Sequence, residues 1–237
     1  MSTKNKKWLV VPALLLSVLV ACQTQQTASN KSTVTDVVHK HTHAMLYTLD
    51  AEQSSITLKV YRDGPLARFG HNHVITATQI SGTVYRERDA LQSDVELSFP
   101  ASGLLVDQPQ DRAQAGAEFP GVLPPEAIAG TRQNMLGPKL LAAEQFPNIT
   151  LRTVAVSGQW PDLQLLVEVK LREFTGQLAV PVHLDEVGDK LNADGQLNIS
   201  QVQLGLSPYS VLGGGLRVRD TIDASFHLVA NRNVAKK

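Results

Sequence analysis

Regular alternation of apolar and polar side chains is the feature that most restricts the fold of this sequence. Successive side chains of a β-strand point to opposite faces, so a period of two predicts strands with one dry and one wet face. Strands of that kind are typical of antiparallel sheets. The apolar positions of the four clearest segments are Ile56, Leu58 and Val60; Val95, Leu97 and Phe99; Leu163, Leu165, Val167, Val169 and Leu171; and Ile222, Ala224, Phe226 and Leu228.

One segment between the predicted strands has the pattern of a helix. Two prolines precede apolar residues at Ile128 and Met135, and Gly137-Pro138 follows, as expected for a helix beginning and ending there. Residues 108–121 show no periodicity, and both a lid over a barrel mouth and an ordered surface loop fit them. The simplest fold is one all-β domain with a short helical insertion. Closing its sheet into a barrel would remove the exposed strand edges.

The first residues have the pattern of a bacterial lipoprotein signal. Residues 1–7 contain three lysines and no acid, residues 8–21 form an apolar run, and a Leu-Val-Ala triplet precedes Cys22, the sole cysteine. The run is shorter than the roughly 20 residues of a membrane-spanning helix and fits a signal peptide. The triplet with Cys22 resembles a lipobox, so we expect residues 1–21 to be removed and Cys22 to be lipidated. An ordinary secretory signal is the alternative.

The segment after Cys22 predicts a flexible tether. Residues 22–43 are rich in Gln, Ser and Thr and have too few large apolar side chains to offset the entropy of ordering. We expect the folded domain over residues 44–231 and a C-terminal tail over residues 232–237. Gln23 follows the cysteine, which by resemblance to sorted lipoproteins favours the outer membrane of the bacterial envelope, facing the periplasm. The balance of 22 basic and 22 acidic residues argues against a nucleic-acid partner.

Several motifs, in this order along the domain, resemble those of YceI-like proteins. They are LYTLD at 46–50 with SITLKV at 55–60, EQFPNITL at 144–151, VQLGLSPY at 202–209 and GGLRVRDTI at 214–222. The resemblance covers nearly the whole domain. It implies an extended antiparallel, lipocalin-like β-barrel of about eight strands, secreted to the envelope.

The resemblance also implies an apolar isoprenoid, quinone-like or fatty chain held in the barrel lumen by a carrier or buffer. An eight-stranded barrel either encloses one small ligand or is filled by its own side chains, and the sequence leaves both open. No cofactor is certain, and protein partners are unknown, so a protein-binding scaffold stays a third hypothesis. The residues expected to face the lumen are Ile56, Leu58, Val60, Val95, Leu97, Phe99, Ile149, Leu151, Val167, Val169, Phe226 and Leu228.

Two groups of histidines suggest an alternative function in metal or haem binding. His71 and His73, in Gly-His-Asn-His, would point to one face of a strand about 7 Å apart and could share a divalent metal with a further ligand. The alternative is a histidine bonded to loop backbone beside a solvated one. His39, His41 and His43 alternate in the predicted tether, and the two groups could meet. The Gly-His-Asn-His string resembles one that a subset of YceI-like proteins carries after the first hairpin.

No catalytic motif is recognisable, so we expect a protein that is not an enzyme. The sequence has no nucleophile elbow, no His-Glu-x-x-His and no phosphate-binding loop. Acidic pairs at strand spacing lie at the outward-facing positions of their strands and predict a solvated face. These pairs are Asp94 with Glu96 and Asp220 with Asp223, and the remaining histidines, His183 and His227, are expected at the surface.

Overall fold

The computed structural model describes residue 41 and residues 43–233. The predicted signal peptide, Cys22, most of the tether and the last residues of the tail lie outside the described residues. The described part contains fourteen strands: β1 Met45–Leu49, β2 Ser55–Val60, β3 Arg62–Asp63, β4 His73–Ala77, β5 Ser81–Arg86, β6 Asp94–Pro100, β7 Leu104–Val106, β8 Asn148–Gln159, β9 Asp162–Leu171, β10 Phe174–Val187, β11 Lys190–Ser200, β12 Ser210–Val211, β13 Leu216–Val218 and β14 Thr221–Arg232. It contains two α-helices, α1 Pro109–Gln114 and α2 Pro125–Leu136.

Eight of these strands form a closed antiparallel barrel. Their order is β1-β5-β6-β8-β9-β10-β11-β14, and β14 pairs back onto β1, with Thr48 opposite Asn231. Closure leaves no free edge on these strands, which removes the usual template for pairing with another chain. The predicted all-β barrel of about eight strands with a short helical insertion is therefore confirmed.

The barrel wall divides toward one end because β14 pairs with two strands along the same edge. Its last residues pair with β1, whereas residues 223–227 pair with β2. From β2 the sheet continues through β4 to β7, and α2 packs beside β7. A small sheet of β12, β13 and β3 follows directly on the end of β2. This end of the barrel is therefore built from short strands, loops and α2 as well as from the long strands.

A bulge in β8 lies opposite the one apolar residue that breaks the alternation in β9. Thr153 of β8 lies opposite Val167, but the next residue opposite β9 is Ala155, which faces Leu166, so Val154 is the extra residue. A bulge of this kind shifts the parity of the bulged strand alone. The alternation of β9 therefore stays in phase with the interior, and Leu166 lies on its outer face.

Only one of the two helices was predicted from the sequence. α2 begins at the second of two prolines and ends before Gly137, as expected. α1 lies in the unassigned segment 108–121 and has only six residues, too few to show a helical period. Phe119 of this segment is buried against Tyr61 and Val74 on the outer side of β4. The segment is thus an ordered surface element and not a lid over the barrel mouth.

Neither α-helix in the described part of the chain is long and apolar enough to cross a membrane.

Close packing at Gly195 gives a test of the barrel interior. A Cβ at Gly195 would lie 2.3 Å from the Pro181 carbonyl oxygen and 2.4 Å from the Phe226 ring. We expect Gly195→Ala to lower the free energy of unfolding by about 1–3 kcal/mol, because the ring and strand must shift. Gly130→Ala in α2 is the control, since nothing lies within 4 Å of its Cβ. It should stabilise the protein by about 0.5–1 kcal/mol. Urea unfolding measures both, and equal effects would contradict the packing described here.

Candidate functional site

The barrel interior is hollow, with two neighbouring cavities along its length. Cavity 1 has a volume of about 330 Å³ and cavity 2 of about 170 Å³. Four side chains line both cavities, and we call them the waist: Ile56, Leu151, Leu178 and Ile199. A lumen of this size lies in the range of small-molecule sites. The two spaces meet at an apolar constriction, so one elongated chain could occupy both.

All twelve residues expected to face the lumen lie on the cavity walls. Their binding to a ligand stays a prediction, since it requires a bound molecule. Cavity 1 is lined by Ile56, Leu58, Val60, Phe99, Ile149, Leu151 and Val169, and cavity 2 by Ile56, Val95, Leu97, Leu151, Val167, Phe226 and Leu228.

The sequence reasoning missed the wall that β10 and β11 contribute. Leu178, Val180, Val182 and Leu184 of β10 line the cavities at every second position, and Ile199 of β11 belongs to the waist. The signal was present, because the intervening residues of β10 include Pro181, His183 and Asp185. Alternation in these segments would have identified the missing wall.

One end of cavity 1 carries polar side chains, in contrast to its apolar walls. Four of them lie close together, and we call them the polar wall: His71, His73, Thr131 and Asn134. Thr131 and Asn134 are three residues apart on α2 and so share one face of that helix. Arg62, Tyr209 and Arg217 also line this end, and Arg217 pairs with Asp63 at 2.9 Å.

His73 is held by a buried carboxylate. Its Nδ1 lies 2.6 Å from Oδ2 of Asp107, a residue that is 1% exposed. Asp107 directly follows β7 at a φ of 52°, a left-handed conformation that Asp adopts more readily than most residues. Its N–H donates to the Val74 carbonyl, and its Oδ1 accepts from the Val74 N–H. The β4–β7 pairing thus fixes the carboxylate beside the first residue of β4.

Arg112 of α1 supplies the compensating charge for Asp107. Its guanidinium is 3% exposed, donates to Asp107 Oδ1 at 2.6 Å and binds the carbonyl oxygens of Asn72, Pro120 and Gly121. Burial alone would raise the pKa of Asp107, but the hydrogen bonds from His73, the Val74 N–H and Arg112 outweigh it and hold that pKa below its ordinary value. The carboxylate is therefore ionised, paired and unavailable to solvent.

A hydroxyl, an imidazole and a carboxylate follow one another here, as in a hydrolytic triad: Thr131, His73 and Asp107. The contact between the hydroxyl and the imidazole is long, however. Thr131 Oγ1 lies 3.4 Å from His73 Nε2. An activated nucleophile normally lies about 2.6–3.2 Å from its base. The arrangement as it stands fixes the orientation of the imidazole and presents Nε2 and Oγ1 side by side to the cavity.

His71 and His73 both line cavity 1, with ring centroids 6.2 Å apart. Within residue 41 and residues 43–233, no group of three or more His, Cys, Asp or Glu side chains is placed to hold a metal ion. Burial, and then the nearby His73, Arg112 and Arg62, lower the pKa of His71. Binding of a divalent metal or haem by His71 and His73 stays a prediction.

The histidines of the predicted tether do not join this pair as far as the structure describes them. His41 stacks on Tyr85, with ring centroids 4.4 Å apart, and lies 3.1 Å from Asp94. Tyr85 lies opposite Asp94, next to the cavity 2 end of β6, whereas His73 lies opposite Val60 in the wall of cavity 1, so the two sites are at different ends of the lumen. The expectation that the two groups could meet is wrong for His41, and His39 lies outside the described residues.

The remaining polar side chains named from the sequence lie outside the cavities. His183 and His227 are exposed and pair with Asp162 and Asp194, each at 2.7 Å, which confirms their surface position. Asp223 accepts from Tyr61 Oη and from Asn198. The acidic residues on the outer parity, Asp94, Glu96, Asp220 and Asp223, line neither cavity 1 nor cavity 2.

Comparison with known proteins identifies the fold. The family model of the YceI-like domain matches residues 47–230. The chain belongs to the YceI-like family. A crystal structure of BcnA from Burkholderia cenocepacia matches this YceI-like chain with a TM-score of 0.57 at 14% identity, covering 77% of this chain and 99% of that one. A polyisoprenoid binding domain from Saccharophagus degradans, implicated in plant cell wall breakdown, matches with a TM-score of 0.54 at 11% identity, covering 81% and 100%. At these identities the likeness shows the fold alone. The comparison with curated proteins found no match.

The buried ion pair of Asp107 and Arg112 gives a pH-dependent test of this YceI-like barrel. The Asp107 pKa is lower in the folded than in the unfolded state, so the ionised carboxylate stabilises the fold above about pH 4, and this stability is lost as the pH falls through the folded-state pKa. We expect Asp107→Asn to lower the free energy of unfolding by about 3 kcal/mol at pH 7, because it leaves Arg112 buried without its counter-charge. The deficit relative to the wild type should shrink below about pH 4.

Urea unfolding at a series of pH values measures this deficit. Asp194→Asn is the control, since Asp194 also lies 2.7 Å from a histidine but is exposed. Its effect should stay within about 1 kcal/mol. A deficit for Asp107→Asn that is the same at every pH would contradict the assignment of an ionised Asp107.

Proposed function

We propose that this protein is a lipid-anchored carrier or buffer that holds one apolar isoprenoid, quinone-like or fatty chain in the barrel lumen, without catalysing a reaction. The observation that carries the proposal is the pair of apolar cavities meeting at the waist. A solid core would have filled this space with side chains, as close packing of protein interiors normally requires.

The walls of the lumen suit a flexible hydrocarbon. Each methylene moved from water into such a space contributes about 0.8 kcal/mol, so a chain of several isoprene units would bind tightly without a charged contact. The Saccharophagus degradans domain with the same fold is described as polyisoprenoid binding, which supports an isoprenoid as the ligand. Two adjoining cavities that share the waist residues also favour a chain over a compact molecule.

The sequence supports an anchor at the outer membrane, facing the periplasm. Cys22 follows a lipobox-like triplet and is the sole cysteine, and Gln23 follows it. An anchored carrier would take up and release its ligand beside the membrane, where a long-chain lipid is concentrated. This location and the acyl anchor at Cys22 are part of the proposal.

Lipid bound to the purified protein tests the proposal directly. We expect organic extraction of protein purified from bacterial envelopes to release one class of long-chain apolar molecule, because the side chains of the barrel do not fill the lumen. Mass spectrometry of the extract identifies it, with a mock purification from cells lacking the protein as the control. Protein that releases no more hydrophobic material than the mock sample, and binds none when it is added, would overturn the proposal.

A substitution at the waist tests where the chain lies. Leu178→Trp places a large ring between the two cavities, so a long chain should lose burial of at least two methylenes and bind at least about tenfold more weakly. Leu166→Trp is the matched control, since Leu166 lies on the outer face of the neighbouring strand, opposite Ala179. Displacement of a fluorescent long-chain lipid measures both variants. Equal affinities, with both variants folded, would show that the chain does not pass the waist.

A further inference from the structure

The polar wall of cavity 1 has a feature that binding of a plain hydrocarbon does not use. Asp107 and Arg112 are buried, and their hydrogen bonds are directed at one another, at backbone groups and at His73 Nδ1. The group that this framework aims into the cavity is His73 Nε2. A site that bound only hydrocarbon would gain nothing from a buried ion pair that supports one imidazole nitrogen at the cavity surface. The polar wall therefore indicates a polar group on the ligand.

The hydrogen bond to Asp107 fixes which nitrogen carries the proton in the neutral ring. Because the ionised carboxylate only accepts, the Nδ1–H group donates a hydrogen bond to Asp107, and Nε2 of the neutral ring is left as an acceptor. Beside it, the Thr131 hydroxyl can donate as well as accept. The two atoms are 3.4 Å apart, longer than the 2.7–2.8 Å at which hydroxyl hydrogen bonds are strongest. An oxygen atom placed about 2.8 Å from both would form the better pair of bonds.

Most of the charges around this position are paired within the protein. Arg112 neutralises Asp107, and Arg217 at the same end of the cavity is paired with Asp63. The Arg62 guanidinium donates to the Gly70 carbonyl. The lowered pKa of His71 keeps that ring neutral at pH 7. Two of these three guanidiniums are thus paired with carboxylates, and the Arg62 guanidinium is held by a backbone carbonyl.

We propose that His73 Nε2 and Thr131 Oγ1 bind the hydroxyl of an uncharged head group, such as that of a prenol, a phenol or a quinol. One hydroxyl satisfies both atoms, since it donates to Nε2 and accepts from Thr131. A carbonyl or an ether accepts from Thr131 but leaves Nε2 without a donor. This inference rests on the proposed function, because it assigns the head group of the chain that the lumen holds.

A matched pair of ligands separates the head group from the chain. Geranylgeraniol and its methyl ether carry the same chain, but only the alcohol can donate a hydrogen bond. We expect the full chain, stripped of co-purified lipid, to bind the alcohol about tenfold more tightly, the value of one additional buried hydrogen bond. Competition against a fluorescent long-chain lipid measures both affinities.

Two variants separate the two contacts. His73→Asn should abolish the preference and leave affinity for the ether unchanged, whereas Thr131→Val should weaken the binding of both ligands. His73→Asn keeps an amide N–H near the position of Nδ1 to serve Asp107 but removes Nε2, and Thr131→Val removes the hydroxyl with almost no change in volume. His73→Asn should bring the alcohol-to-ether ratio close to one. Thr131→Val should keep the ratio but lower both affinities, because both ligands accept from the Thr131 hydroxyl. The control variants are His183→Asn, whose Nδ1 also lies 2.7 Å from a carboxylate but on the outer surface, and Thr175→Val, at an exposed position of β10. Both controls should keep the wild-type ratio.

The possible results distinguish this inference from the proposed function. If the wild type binds both ligands with equal affinity, the chain binds but the head-group site is overturned. If the preference survives in a folded His73→Asn, or if Thr131→Val leaves both affinities unchanged, the head group binds elsewhere and the assignment is also overturned. If the wild type binds neither ligand, nor any other long-chain lipid, the carrier function itself fails. Unfolding curves for each variant establish that the barrel is intact.

Discussion

The structure depends on the pairing of β14 with β1, which closes the sheet on itself. Closure satisfies the edge hydrogen bonds of the eight long strands and divides every strand into an inner and an outer face. The same edge of β14 also pairs with β2, so the wall branches toward one end. This branch makes room for α2 and the small sheet of β3, β12 and β13. The closed part supplies an apolar lumen, and the branched part supplies its polar end.

The polar end is possible because its charges are paired within the protein. Burying a carboxylate alone would cost several kcal/mol, and Arg112 with the Val74 N–H offsets that cost at Asp107. The result is a rigid support for His73 at the beginning of β4. A side chain on a strand, fixed by a buried partner, keeps its orientation better than one on a loop. That rigidity is what a selective contact with a single ligand atom requires.

In the proposed function, the two regions of the lumen divide the work of binding. Apolar walls bind any sufficiently long chain, because the hydrophobic contribution is non-directional and scales with buried area. Selection among such chains needs a directional contact, and the polar wall provides one at a single end of cavity 1. The waist between the cavities sets how much of a chain is buried. Affinity and selectivity thus come from different residues and can be altered separately.

The sequence by itself determined the β fold and twelve of the inward residues, because the parity of a strand is a local property, and its motifs indicated the family. Ile56, Leu151 and Phe226 could be placed on the lumen wall from alternation alone, and α2 from its prolines and Gly137. It did not reveal α1, which is too short to show a period. Only the tertiary structure decided that the lumen is hollow, because cavity volume depends on how side chains from all eight strands meet. It also decided the partners of His73, since Asp107 and Thr131 lie 34 and 58 residues away in sequence and reach it only through β4–β7 pairing and the packing of α2.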